Sequence, residues 1–119
     1  MERTSVASTW AYLFEHPGTD PDADRTVIDR DGQRTLLVPV PSVDQAPEIA
    51  RRLADEDGVG LIELCGGLGA TDAGQVRAAV PDRVPVGHVT FAVDSLLAGA
   101  AYAQAAAGES EPQARSAGA

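Results

Sequence analysis

The chain has 119 residues, and its 18 Asp plus Glu against nine basic residues give a formal net charge of -9. That balance argues against nucleic acid or an anionic membrane as a partner, because both are held mainly through Lys and Arg. All nine basic residues are Arg, which excludes a catalytic Schiff base and a Walker-type phosphate loop, since both need a Lys amine.

Residues 1–9 read as a flexible N-terminus, and the single Arg and broken apolar stretch of residues 1–14 do not make a signal peptide. Residues 10–16 (WAYLFEH) are aromatic and apolar and run into Pro17-Gly18, the pattern of a first strand closed by a turn. The segment Gly18 to Arg25, with Pro21 and three Asp, reads as a surface loop. Two β-branched runs, Thr26 to Asp29 and Arg34 to Val40, flank an Asp31-Gly32 pair, the strongest short-range hairpin signal.

Ser42, with Gln45 three residues on, forms a capping-box pattern opening a helix whose apolar face is Ala46, Ile49, Ala50 and Leu53. Asp57-Gly58 ends it. Val59 to Cys65 (VGLIELC) is a short apolar run between glycines, which predicts a strand covered on both faces. Cys65 is the only cysteine, so an internal disulfide and a multi-cysteine zinc site are excluded and a reducing cytoplasm is the expected compartment.

Gly66-Gly67-Leu68-Gly69 turns into a second helix, Thr71 to Val80, with Thr71 or Asp72 as its cap. Val84 to Phe91 is the next strand, and Pro85 places it at an edge or a strand start. Asp94 is expected to cap a last helix over residues 95–107, which carries seven of the 21 Ala and no charge. A helix apolar all round wants burial on more than one side, so a homo-oligomer contact is expected there. Residues 108–119 read as a disordered tail.

The order β, β-hairpin, α, β, α, β, α over residues 10–107 predicts a single α/β domain. Its core is a mixed sheet of about five strands, partly parallel through right-handed crossovers, with helices packed on it. No run approaches the roughly 18 apolar residues of a spanning helix.

The stretch Phe14-Glu15-His16-Pro17-Gly18-Thr19-Asp20-Pro21, then Asp24-Arg25, and later Ile62-Glu63-Leu64-Cys65-Gly66-Gly67 resemble a family of small bacterial proteins described as a domain of unknown function. The likeness runs from about Trp10 to Phe91 and includes Val84-Pro85-Val86-Gly87. It implies a fold and no reaction.

In open α/β sheets ligands sit outside the carboxyl ends of the strands. If the strands are parallel neighbours, Glu15-His16, Cys65-Gly66-Gly67 and His88 with Thr90 converge on one rim. Glu63 lies on a strand read as buried, so its carboxylate is either a proton-transfer group or a structural acid paired with an Arg or backbone amides. His16 either shuttles a proton or holds the turn by bonding to the Asp-rich loop, and His88 either assists or is a core histidine bonded to a carbonyl. Cys65 is either an activated nucleophile or a small hydrophobe.

The turn from Gly66 through Gly67 and Gly69 to Thr71 offers backbone N–H groups at a helix N-terminus for an oxyanion, or is simply a tight turn that lets the helix pack closely. A metal site drawn from His16, Glu63, Cys65 and His88 has no local HxH, HxxxH or CxxC pair behind it, so neither metal nor cofactor is expected.

The leading expectation is therefore a cofactor-free acid/base enzyme of the isomerase, lyase or cyclase type acting on a carbonyl- or carboxylate-bearing metabolite. Glu63 or His16 would move the proton and His88 would assist, with Glu15, Cys65, Gly66, Gly67, Gly69, Thr71 and Thr90 around the ligand. The alternative is a noncatalytic ligand-binding or oligomeric assembly protein.

Overall fold

Asp31 and Gly32 both adopt positive φ, 54° and 80°. A two-residue hairpin turn matching the twist of its strands requires this geometry. They join β2 (Thr26–Arg30) to β3 (Gln33–Val40), antiparallel partners with Thr26 opposite Leu37 and Arg30 opposite Gln33. The computed structural model describes residues 8–110, which form two compact units dividing after Val89.

The first unit is a five-stranded mixed sheet, mostly parallel, in the order β2-β3-β1-β4-β5. Its centre is β1 (Ser8–Glu15), parallel to β3 on one side and to β4 (Ile62–Leu64) on the other. The far edge is β5 (Val86–His88), parallel to β4. The α/β class and the order of elements agree with the sequence, while β1 starts at Ser8 and ends at Glu15, so His16 falls in the turn after it. Pro85 immediately precedes the edge strand, and β5 is shorter than the Val84–Phe91 pattern suggests. Pro39 is tolerated inside β3 because β2 pairs only as far as Leu37, so the missing N–H breaks no bond of the hairpin.

The crossovers β3 to β4 and β4 to β5 carry α1 (Ala46–Glu56) and α2 (Ala70–Ala79). Both step the same way across the sheet, and right-handed crossovers in one direction place their helices on the same face. Burial agrees. Ala11, Leu13, Leu36, Val38, Val40, Ile62 and Leu64 form one core with Ile49, Ala50 and Leu53 of α1 and Val76 of α2.

The alternate positions along β1, namely Trp10, Tyr12 and Phe14, face the other way and are only half-buried. Thr35, Leu37, Ile28 and Glu63 occupy the same face by register. The apolar run ending at Cys65 is therefore not covered on both faces. Its strand is only Ile62–Leu64, with Glu63 exposed between two buried residues. A short apolar run does not by itself separate two-sided burial from one-sided burial on a sheet whose open face carries aromatics.

Helix starts also differ in detail. Ser42 precedes a single 3-10 turn (Val43–Gln45) and its hydroxyl bonds the Asp44 carboxylate, so the expected box with Gln45 does not close. The N-cap of α2 is Gly69, not Thr71 or Asp72. Gly69 has no side chain to give, and only the return bond is made, from its N–H to the Asp72 carboxylate at 2.9 Å.

The second unit has a 3-10 turn (Val93–Ser95) leading into α3 (Leu96–Ser110), with no side-chain bond from Asp94 as a cap. This helix continues through Gly108, where the sequence suggests a tail; the rest of that tail and residues 1–7 lie outside the described residues. No helix among the described residues is long and apolar enough to cross a membrane.

A one-sided core makes the two faces unequal in energy. Leu13→Ala, at a fully buried site, is expected to lose about 2–5 kcal/mol of stability in chemical denaturation. Ile28→Thr, half-exposed on the open face, is expected to stay within about 0.5 kcal/mol of the parent.

Candidate functional site

Parallel pairing does set the carboxyl ends of β1, β4 and β5 side by side. The side chains expected to meet there nevertheless diverge. His88 is the register partner of the buried Leu64, so it lies on the helix-facing side of the edge strand, where it is exposed. Glu63 is the partner of Tyr12 and Gly87 and lies on the opposite face, while Cys65, one residue past β4, is half-buried against the core.

His16 serves the turn chiefly through its backbone. Its N–H bonds Val40 O at 2.8 Å and its carbonyl accepts from the Thr19 hydroxyl at 2.6 Å, while the exposed ring has Nδ1 3.2 Å from Pro17 O. Pro17 and Gly18 (φ 81°) occupy the centre of this turn, the positions that favour proline and a residue with positive φ. Glu15 is exposed at the end of β1, and Thr90 belongs to the second unit.

The acidic loop that follows is consumed by its own architecture. The Asp20 carboxylate accepts from the N–H groups of Asp22 (2.8 Å) and Ala23 (3.1 Å), and these bonds hold it below the usual carboxylate range. The Asp24 carboxylate accepts from Asp20 N–H. Asp22 is shared by Arg25 at 3.1 Å and Arg52 at 3.3 Å, and Arg25 reaches Asp57 beyond α1, so the loop is pinned to that helix. Among the described residues no group of three His, Cys, Asp or Glu is placed to hold a metal ion.

The glycine turn is likewise partly occupied. Cys65 O accepts from Leu68 N–H, and a side chain at Gly67 would sit in ordinary contact with Cys65 Sγ at 3.5 Å. An anion arriving at the start of α2 would meet the Asp72 carboxylate already bonded to Gly69 N–H. Gly66 and Thr71 are exposed beside it.

The surface is concave toward the amino ends of the strands. A shallow cavity of about 390 Å³ opens on the uncovered side, lined by Ser8, Thr9, Trp10, Gln33, Gly60, Leu61 and Glu63. Trp10, Tyr12, Leu61 and Glu63 are four neighbouring positions across β1 and the run into β4, since Ala11 pairs with Ile62 and Tyr12 with Glu63. Tyr12 stacks on Phe14, with ring centroids 6.2 Å apart. Its phenol is pushed above the ordinary value by burial first, then by the nearby Cys65 and Glu63. At neutral pH it is therefore a hydrogen-bond donor beside a carboxylate.

Of the residues singled out in the sequence, Glu63 and Cys65 both lie near enough to raise the Tyr12 phenol, His88 is on the other face of the sheet, His16 is in the turn after β1, and Thr90 belongs to the second unit. Trp10 and Tyr12 are the members that sequence reasoning missed. Period-two alternation along β1 puts them on one face, but only the sheet order reveals that this face is open.

Residues 8–104 match a family described as "Family of unknown function (DUF6506)". No curated protein and no solved structure matches the chain.

The electrostatic coupling on the open face is measurable. In a Tyr102→Phe background, which leaves Tyr12 as the only tyrosine, spectrophotometric titration is expected to find the phenol above 10.0, and Glu63→Gln is expected to lower it. A phenol raised in the folded state adds stability that is fully present below its unfolded pKa and is lost as pH rises through the folded value. The Tyr12 contribution is thus expected to hold at neutral pH and to fade above pH 10.

Proposed function

We infer for this chain, which belongs to the family of unknown function DUF6506, a role as a small-molecule-binding α/β protein whose ligand lies on the uncovered face of the sheet. The observation that carries this reading is the cavity beside Trp10 and Glu63, an aromatic wall and a carboxylate on a face that the chain's own crossover helices leave open. Its volume falls at the small end of the range for small-molecule sites. Polar positions at Ser8, Thr9 and Gln33 add hydrogen-bonding partners that can orient a ligand.

The geometry favours binding over acid/base catalysis by the residues first suggested. Proton transfer needs a base and an acid within hydrogen-bond reach of one substrate. Glu63 and His88 are on opposite faces, and His16 is part of a turn. If the protein does move a proton, Glu63 is the base and the Tyr12 phenol is the donor beside it.

A second reading, homo-oligomer assembly through α3, is supported by an independent observation. Residues 96–108 carry no charge, and Val93, Leu97 and Tyr102 are 85%, 88% and 77% exposed. Exposed apolar surface concentrated on one short segment marks a contact site.

Native mass spectrometry of the protein isolated from the organism that encodes it is expected to show a low-mass adduct. The adduct should disappear on denaturation and be missing from a folded Trp10→Ala variant. An adduct kept by that variant, or no adduct at all, would overturn the binding reading. For assembly, sedimentation velocity is expected to show an oligomer that a Leu97→Glu, Tyr102→Glu double variant reduces to monomer; a monomeric parent chain would refute it.

A further inference from the structure

Building on the binding reading above, we propose that the Trp10–Glu63 cavity selects organic cations, a primary amine or quaternary ammonium on a flat apolar body, and rejects carboxylates. Of the seven described residues that line it, one is charged, and that one is Glu63. The Glu63 side chain makes no ion pair or hydrogen bond with any described residue. Its register neighbours, Tyr12 and Gly87, bring no positive charge.

The two arginines within the strands, Arg30 and Arg34, do not pair with Glu63. Arg34 is the partner of Thr9, on the helix-facing alternation, and pairs with Asp29 at 3.9 Å. Arg30 shares the open face but lies three strands across and four residues down from Glu63. At about 4.8 Å per strand and about 3.3 Å per residue that is roughly 20 Å away. The separation is more than twice the screening length of about 8 Å at physiological salt.

The rest of the cavity suits the same ligand. An indole is the aromatic side chain that attracts a cation most strongly through the negative face of its ring. Trp10 and Leu61 offer apolar surface to a flat body, and Ser8, Thr9 and Gln33 offer oxygens that accept from an ammonium. The net charge of -9 raises the concentration of cations over the whole surface and lowers that of anions. A carboxylate-bearing ligand would meet Glu63 with no cation among the described residues that line the cavity, so the ligand charge expected from sequence is reversed.

Three probes with one phenyl body and different heads test this: phenethylamine, 2-phenylethanol and phenylacetate. Trp10 is the only tryptophan in the chain, so its fluorescence reports on this cavity alone. Phenethylamine is expected to change the signal saturably and to bind at least about tenfold more tightly than 2-phenylethanol, with phenylacetate giving no saturable change.

Glu63→Gln, a change at an exposed position that circular dichroism can confirm as folded, is expected to remove the amine's advantage. Added salt is expected to weaken the amine and leave the alcohol unchanged. Binding of phenylacetate as tight as that of phenethylamine, or an amine advantage that survives Glu63→Gln, would overturn the cation preference. Saturable binding of the alcohol would then keep the binding-face reading intact, whereas a flat Trp10 signal with all three probes would overturn both.

Discussion

Two right-handed crossovers that step in the same direction across a parallel sheet must lay their helices on the same face. Here β3 to β4 and β4 to β5 step the same way, and α1 and α2 do share one core on one face, as that hand requires. Nearly every other property of the first unit follows from that chirality. The core has one side, built from Leu13, Leu36, Val38, Ile62 and Leu64 against Ile49, Leu53 and Val76. The opposite side keeps Trp10, Tyr12 and Phe14 half-exposed because the chain through Val89 has no further crossover helix to cover them.

The same constraint moves the site. The rule that ligands sit at the carboxyl ends of strands rests on helices leaving opposite faces of the sheet and opening a crevice between them. With both helices on one side no such crevice forms. The carboxyl ends of β1 and β4 lead instead into a turn at Pro17-Gly18 and a glycine turn whose Gly69 N–H is bonded by Asp72. Concavity and a carboxylate with no ion pair among the described residues occur together at the other end, around Trp10 and Glu63.

The two stretches that suggested a resemblance in the sequence divide into distinct structural roles. In the stretch from Phe14 to Arg25, the bonds from the Thr19 hydroxyl, the Asp20 and Asp24 carboxylates and the Arg25 guanidinium all stay within the loop or tie it to α1. These residues shape a loop that returns the chain to the edge strand β2. In the stretch from Ile62 to Gly67, Ile62 and Leu64 build the core and Glu63 alone presents a charge to the open face. A motif in sequence thus mixes loop geometry, core packing and a surface carboxylate, and the letters do not distinguish them.

Much of the architecture was legible without coordinates, because it is set by local chemistry. Asp31-Gly32 demands positive φ, the spacing of Ala46, Ile49, Ala50 and Leu53 demands one buried helix face, and the alternation on β1 assigns Trp10, Tyr12 and Phe14 to a common side. What remained open was long-range. Whether the face holding Glu63 was buried depended on β1 inserting between β3 and β4, and on the direction of two crossovers, neither of which leaves a mark in a three-residue strand. Local sequence determined the elements, their order and which residues share a face; only the tertiary structure decided which face meets water, because that is fixed by strand order and the handedness of connections rather than by any residue's own preference.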